Sequence, residues 1–223
     1  MSQFQTDLTQ GSVFGQLLKF SVPFLLSNLL QALYNMADMV IVGQFGGAVG
    51  ASAVGIGGQV TILIINLISG LAVGGTIMIA QFIGARRQQE VERTVGTMFT
   101  LYAIAGAAIT VIMLLINPWV LRLMQTPADC YGEALAYLNI CMGGTLFIVG
   151  YNAVSAVLRG MGDSLSALGF LLVAAALNVG LDLWFVAGLG MGVAGVALAT
   201  IISPYISAAL VVWCLVREEG ALR

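Results

Sequence analysis

Residues 31–47 read QALYNMADMVIVGQFGG. This segment closes a long apolar run and sets one carboxylate, Asp38, inside it. Between Phe20 and Ala85, Asp38 is the only charged residue. A charged side chain at the centre of a membrane helix costs roughly 2.5–3.5 kcal/mol. The run is therefore either a soluble core with an expensive defect or a membrane helix that carries a working group. The rest of the chain chooses between the two.

The 223 residues are 60% hydrophobic and 8% charged, with 28 glycines, no histidine and a mean hydropathy of +1.01. A soluble domain carries about 25% charged residues. Uncharged intervals cover residues 39–85, 94–121, 134–158, 164–181 and 183–216. A transmembrane helix needs about 20 apolar residues, so most of these intervals hold at least one. The composition reads as all-α, a polytopic membrane protein. The net charge of −2 comes without a basic patch, which argues against nucleic acid as a partner. Cys130, Cys141 and Cys214 are scattered, with no histidine near them. That pattern speaks against a zinc site, and an odd count speaks against a disulfide framework. The first dozen residues are polar and lack Lys or Arg, unlike a cleavable signal peptide.

Taken in order, residues 1–11 form a polar lead-in, and Ser12 is a candidate helix cap. Six spans follow, at about 15–42, 51–84, 94–116, 130–158, 165–187 and 193–216. Residues 43–50, GQFGGAVG, read as a turn between the first two. Asn117-Pro118 reads as the end of the third, because proline disfavours helix at the residue before it. WVLRLMQTPAD then reads as a connector lying at the interface, with Trp119 as its anchor. RGMGDS (159–164) and GLGMG (188–192) read as turns, and REEGALR as a polar tail. Pro23 and Pro204 predict kinks within the first and last spans.

Six crossings place the lead-in, 85–93, 159–164 and the tail on one side. That side holds Lys19, Arg86, Arg87, Arg93, Arg159, Arg217 and Arg223; the other holds Arg122 alone. The bias makes the first side cytoplasmic, with both termini on it, in a plasma (inner) membrane.

Only Asp38 and Asp182 are charged and well inside spans. Both fall about 6–8 Å below the outer ends of outward-running helices. Asn178 lies one turn before Asp182 on the same face. Tyr137 and Thr200 fall at similar depth in spans that enter from outside. Four helices thus bring oxygen-bearing groups to one layer. Two carboxylates with amide, hydroxyl and phenol neighbours can share protons or hold a hard monovalent cation such as Na⁺ through oxygen. Without histidine, the carboxylates are the plausible proton carriers. No cofactor is expected beyond a coupling ion, and no enzyme constellation is visible: the chain lacks histidine, a phosphate-cradling loop and a nucleophile elbow.

PFLLSNLLQALYNMADMVIVGQFGG (23–47), LRGMGDS (158–164) and ALNVGLDLWFVAGLGMGVAGVALAT (176–200) resemble the multidrug and toxic compound extrusion (MATE) transporters across essentially the whole chain. The resemblance implies a cation-coupled antiporter, driven by H⁺ or Na⁺, that expels organic cations and other amphipathic compounds. It matches Asp38 to the acidic residue of the family's first helix and Asn178 and Asp182 to the Asn and Asp of its fifth. Tyr137 and Thr200 fall where the family places further polar groups, and Pro23 matches a first-helix proline at which bending has been proposed. The family has twelve helices in two six-helix lobes, and this sequence covers six. The expected partner is therefore a second six-helix lobe, either a missing carboxy-terminal half or another copy in a homodimer. A lipid-linked glycan flippase of the same superfamily is the alternative. It would be expected to line its cavity with Arg or Lys for phosphate, and no basic residue lies deep in a span. A non-transporting membrane assembly subunit is the third reading.

Overall fold

The computed structural model describes residues 12–221. The lead-in 1–11 and Arg223 lie outside the described residues, as do the side chains of Lys19, Cys214 and Arg217. The described chain is helical almost throughout: α1 (Val13–Gly84), α2 (Gln88–Leu123), α3 (Ala128–Gly143), α4 (Thr145–Gly160), α5 (Ser164–Asp182) and α6 (Gly192–Ala221). A π-helical turn, Leu183–Gly188, extends α5. Ser12 caps α1, its Oγ accepting the Gly15 N–H at 3.3 Å. Asp163 caps α5, its Oδ1 accepting the Ser166 N–H at 3.0 Å.

A straight helix of 72 residues would be about 108 Å long, more than three hydrocarbon cores. α1 is instead folded back on itself at Gly47, where φ is 68° and ψ is −169°. That conformation belongs to glycine, because a Cβ would meet the backbone there. The fold-back shows in the packing. A Cβ placed on Gly55 would lie 3.7 Å from the Met39 methyl group, sixteen residues away. On a straight helix the two would be about 24 Å apart. α1 is thus two membrane-length arms, 13–46 and 48–84.

α2, α5 together with its π-helical extension, and α6 each have the length and apolar character of one crossing, and α3 with α4 form one crossing bent by 52°. The bend falls at Gly144, where α6 comes closest. A Cβ on Gly144 would lie 2.5 Å from both Cγ1 and Cγ2 of Ile201 and would also meet its Cδ1. Glycine lets the two backbones approach, as small residues do between membrane helices.

The distribution of side chains supports a lipid surround. Fully buried positions include many small ones, Ala53, Ala134, Ala153, Ala156, Ala197 and Ala199, beside a few larger ones such as Ile79, Leu121 and Leu138. Large apolar side chains such as Leu25, Leu29, Leu63, Leu67 and Leu115 point outward. A water-soluble bundle buries its large residues, whereas a membrane bundle packs by close approach of small ones.

Several local expectations are corrected. The turn expected at 43–50 narrows to one residue, Gly47, because helix continues on both sides of it. α2 does not end at Asn117-Pro118 but runs to Leu123. Tertiary partners hold it there: the Asn117 Nδ2 donates to Asn139 Oδ1 at 2.9 Å, and the Tyr131 hydroxyl donates to the Pro118 carbonyl at 3.2 Å. Neighbouring groups of this kind make proline tolerable inside a membrane helix. The interfacial connector therefore shrinks to residues 124–127, and Trp119 belongs to α2. The fourth span is two helices, for the reason given at Gly144. α6 runs on to Ala221, so much of the expected tail is helical, in keeping with the helix propensity of Arg and Glu. At Pro23 the backbone keeps helical dihedrals; among the interior residues of α1, Gly47 alone departs from them.

Candidate cation site and membrane cavity

Asp38 sits on the inner stripe of the first arm. Ile41 and Val42, three and four residues on, are buried with it, while Met36, Met39 and Val40 face outward. The 3.6-residue period puts these two sets on opposite faces. Asp182 ends α5 and is fully buried, and Asn178 is buried one turn before it. The two carboxyl groups, from α1 and α5, are close enough to interact directly.

No protein donor reaches Asp38 Oδ1, Asp182 Oδ1 or Oδ2, or Asn178 Oδ1, and no protein acceptor reaches Asn178 Nδ2. Buried polar atoms in native structures almost always have partners, and each exception calls for a reason. Two ionised carboxylates are acceptors only and cannot satisfy each other. A proton shared between them, or a cation held by their oxygens, would satisfy both. The residue set therefore fits a proton or a hard monovalent cation, with two carboxylates and the Asn178 carbonyl oxygen as oxygen ligands. Among the described residues no group of three or more His, Cys, Asp and Glu side chains gathers, so the site lacks the ligand set of a transition-metal centre.

Tyr137, on α3, is buried within electrostatic reach of Asp38. Its ring is seated against Gly57 on the second arm: a Cβ there would lie 2.5 Å from Tyr137 Cδ1. Thr200 is placed differently. Its hydroxyl donates to the Val196 carbonyl at 2.9 Å, and its side chain lines a cavity together with Asn178. Pro23 is buried in the first arm but lies fifteen residues from Asp38, about 22 Å along the helix. Asp38, Asp182, Asn178 and Tyr137 are thus gathered, Thr200 joins them through the cavity, and Pro23 stands apart.

Gln31, Tyr34, Asn152 and Ser203 line that cavity as well. Its space for water-sized molecules is about 50 Å³. That admits a few waters or a partly hydrated cation and falls short of a drug-sized ligand. Asn178 belongs to both the acidic pair's layer and the cavity wall, so it joins the two.

Tyr34, Gln31 and Cys141 were not among the expected residues. Tyr34 lies near Gln31 and within electrostatic reach of Asp38, and the Cys141 thiol is fully buried near Tyr137 and Thr61. A sequence signal existed for two of them: Tyr34 and Gln31 precede Asp38 by four and seven residues, on the same helical face. No local pattern marks Cys141.

Comparison with known proteins shows the family and the fold. The MatE family signature matches residues 23–184. The "Probable multidrug resistance protein YpnP" of Bacillus subtilis is 32% identical over 197 residues, covering 88% of this chain and 44% of YpnP. A solved MOP superfamily transporter from Pyrococcus furiosus superposes with a TM-score of 0.88 at 30% identity, covering 96% of this chain and 47% of that one. A crystal structure of MATE in the straight conformation gives 0.86 at 31% identity, covering 96% and 48%. The chain spans about half the length of the proteins it matches. With its apolar helices it is a multi-pass membrane protein, and it belongs to the MatE family.

Proposed function

We propose that this chain is one lobe of a secondary active multidrug exporter in the plasma (inner) membrane, with both ends in the cytoplasm. Binding of H⁺ or Na⁺ at Asp38, Asn178 and Asp182 drives expulsion of amphipathic or cationic compounds. The observation that carries the reading is the gathering of five buried polar atoms without protein partners on three residues from two helices. Leaving so many polar atoms unpaired in a bundle core is costly unless a mobile ligand satisfies them part of the time.

The residues divide the work by position. Asp38 and Asp182 hold the positive charge between them, and their neutralisation draws the first arm of α1 toward α5. Asn178, facing both the pair and the cavity, reports occupancy of one to the other. Tyr137, wedged on Gly57, ties the second arm to the same layer. Coupling requires that ion and substrate favour different states, since a ligand of equal affinity shifts nothing. Alternating access further needs a second unit to rock against. The relatives are about twice this length, and a second six-helix lobe, from the same polypeptide or from another copy, supplies that wall.

The test is uptake of a fluorescent cationic dye into proteoliposomes under an imposed H⁺ or Na⁺ gradient. Gradient-driven uptake by this chain alone, lost in Asp38→Asn, identifies the ion and means that two copies pair. Uptake seen only when a second lobe is supplied, and again lost in Asp38→Asn, identifies the ion and means that the lobes differ. Full transport by Asp38→Asn/Asp182→Asn would refute the mechanism.

A further inference from the structure

α5 does not end as an ordinary helix. Directly after Asp182 it widens into the π-helical turn Leu183–Gly188. There the Leu189 N–H donates to the Trp184 carbonyl, five residues back, at 2.9 Å. Such turns are rare, occur mostly as single bulges within α-helices, and recur at functional sites. The hydrogen-bond ladder is already divided where the bulge begins: the Leu183 N–H is shared between the Gly180 and Val179 carbonyls.

The helix is fastened to α6 on both sides of this point. Upstream, the buried Ser207 hydroxyl donates to the Phe170 carbonyl at 2.7 Å. Downstream, Phe185 lies against Gly195, where a Cβ would stand 2.9 Å from Phe185 Cβ and 3.3 Å from its carbonyl carbon. Val186, the next residue, is buried. Asp182 lies between the two fasteners, fully buried, and neither of its carboxylate oxygens has a hydrogen-bond partner. No side-chain bond therefore fixes its angle about the helix axis. Gly180, two residues before it, is exposed, and a Cβ there would meet nothing within 4 Å. The stretch between the fasteners is free to rewind.

A wide turn that shifts along a helix rotates each residue it passes by one residue's twist, about 100°, and leaves the flanks in place. We propose that the π turn after Asp182 is a register switch. When the acidic pair loses its cation, the wide turn passes one turn back along α5 and carries Asp182 out of the layer; rebinding returns it. The inference rests on the reading of Asp38 and Asp182 as a cation site. Two carboxylates with no positive charge between them repel strongly in a low-dielectric core. The wide turn lets Asp182 swing away while both contacts with α6 hold and Asn178 keeps its place on the cavity wall.

The experiment follows Trp184, inside the turn, whose ring stacks on Phe185 at 5.3 Å. In the purified full chain carrying Trp119→Phe/Trp213→Phe, Na⁺ and H⁺ are titrated separately while thermal unfolding and Trp184 emission are recorded. The cation that raises the unfolding midpoint should also shift the emission, and Asp38→Asn should abolish both responses. Alanine favours regular helix over glycine by about fivefold in an equilibrium constant. Gly180→Ala therefore holds the wide turn where it now stands and raises the apparent cation affinity by up to about fivefold. Gly169→Ala, equally exposed and unobstructed but upstream of the Phe170 fastener, leaves the affinity unchanged. Both alanines have room in the present structure, so neither variant depends on a repacked core. If neither cation raises the midpoint, the cation-site reading falls and the switch with it. If one does while Trp184 stays silent, or if Gly180→Ala and Gly169→Ala bind it alike, the switch alone is overturned.

Discussion

Gly57 is the point at which packing and the acidic layer meet, and Gly57→Ala tests that junction. The added Cβ would lie 2.5 Å from Tyr137 Cδ1 and 3.2 Å from Cε1. Carbon atoms prefer about 3.5–4.0 Å, so the ring must retreat by about 1 Å. Tyr137 is 4% exposed and has little room to do so. Overpacking of this kind costs about 1–3 kcal/mol. Replacing glycine by alanine inside a helix returns about 1 kcal/mol. With an overpacking cost of about 2 kcal/mol, the net loss is about 1 kcal/mol. In a Tyr137→Ala background the clash is gone and only the helix gain remains, so the same substitution stabilises by about 1 kcal/mol. The coupling energy is then about 2 kcal/mol, within the range found for touching residues. The assay is thermal unfolding of the detergent-solubilised protein. The midpoint falls by about 2–4 °C when Gly57→Ala is made in the wild type and rises by a similar amount when it is made in Tyr137→Ala. Shifts of the same sign in both backgrounds would refute the contact. Dye transport by Gly57→Ala, in whatever assembly proves active, should fall as well, because Tyr137 cannot move without disturbing its place beside Asp38.

Gly47→Ala forces a side chain into a backbone region open essentially only to glycine, costing about 1–3 kcal/mol; the fold-back between the arms should loosen, read as faster limited proteolysis near residue 47. Gly144→Ala drives a Cβ into Ile201 and should lower the unfolding midpoint, with Ile201→Ala restoring tolerance of the alanine; a midpoint unchanged by Gly144→Ala alone would contradict the close crossing. Asn117→Ala removes the buried donor to Asn139 Oδ1, and because Asn139 itself is exposed the loss should be about 0.5–1.5 kcal/mol in thermal unfolding.

The sequence by itself carried the membrane reading, because that reading is a sum over the chain. Sparse charge, long apolar intervals and one-sided basic residues each register locally and add up. The two intramembrane aspartates were legible for the same reason: in an uncharged run, a carboxylate stands out whatever it touches. Asn178 followed from its spacing to Asp182, and Tyr34 and Gln31 could have followed from theirs to Asp38. What the sequence could not decide was where the helices break. Asn117-Pro118 looks like a helix end and is not, because Asn139 and Tyr131, on another helix, supply its polar partners. Residues 130–158 look like one helix and are two, because α6 crosses at Gly144. Eight residues with four glycines look like a loop and contain one non-helical residue. Nor could the sequence show that Asp38 and Asp182 meet or that Asn178 reaches both the pair and the cavity. Those facts depend on contacts between residues far apart in the chain, which helix packing alone creates. Periodicity fixes which face of a helix turns inward, and only the tertiary structure decides what that face meets.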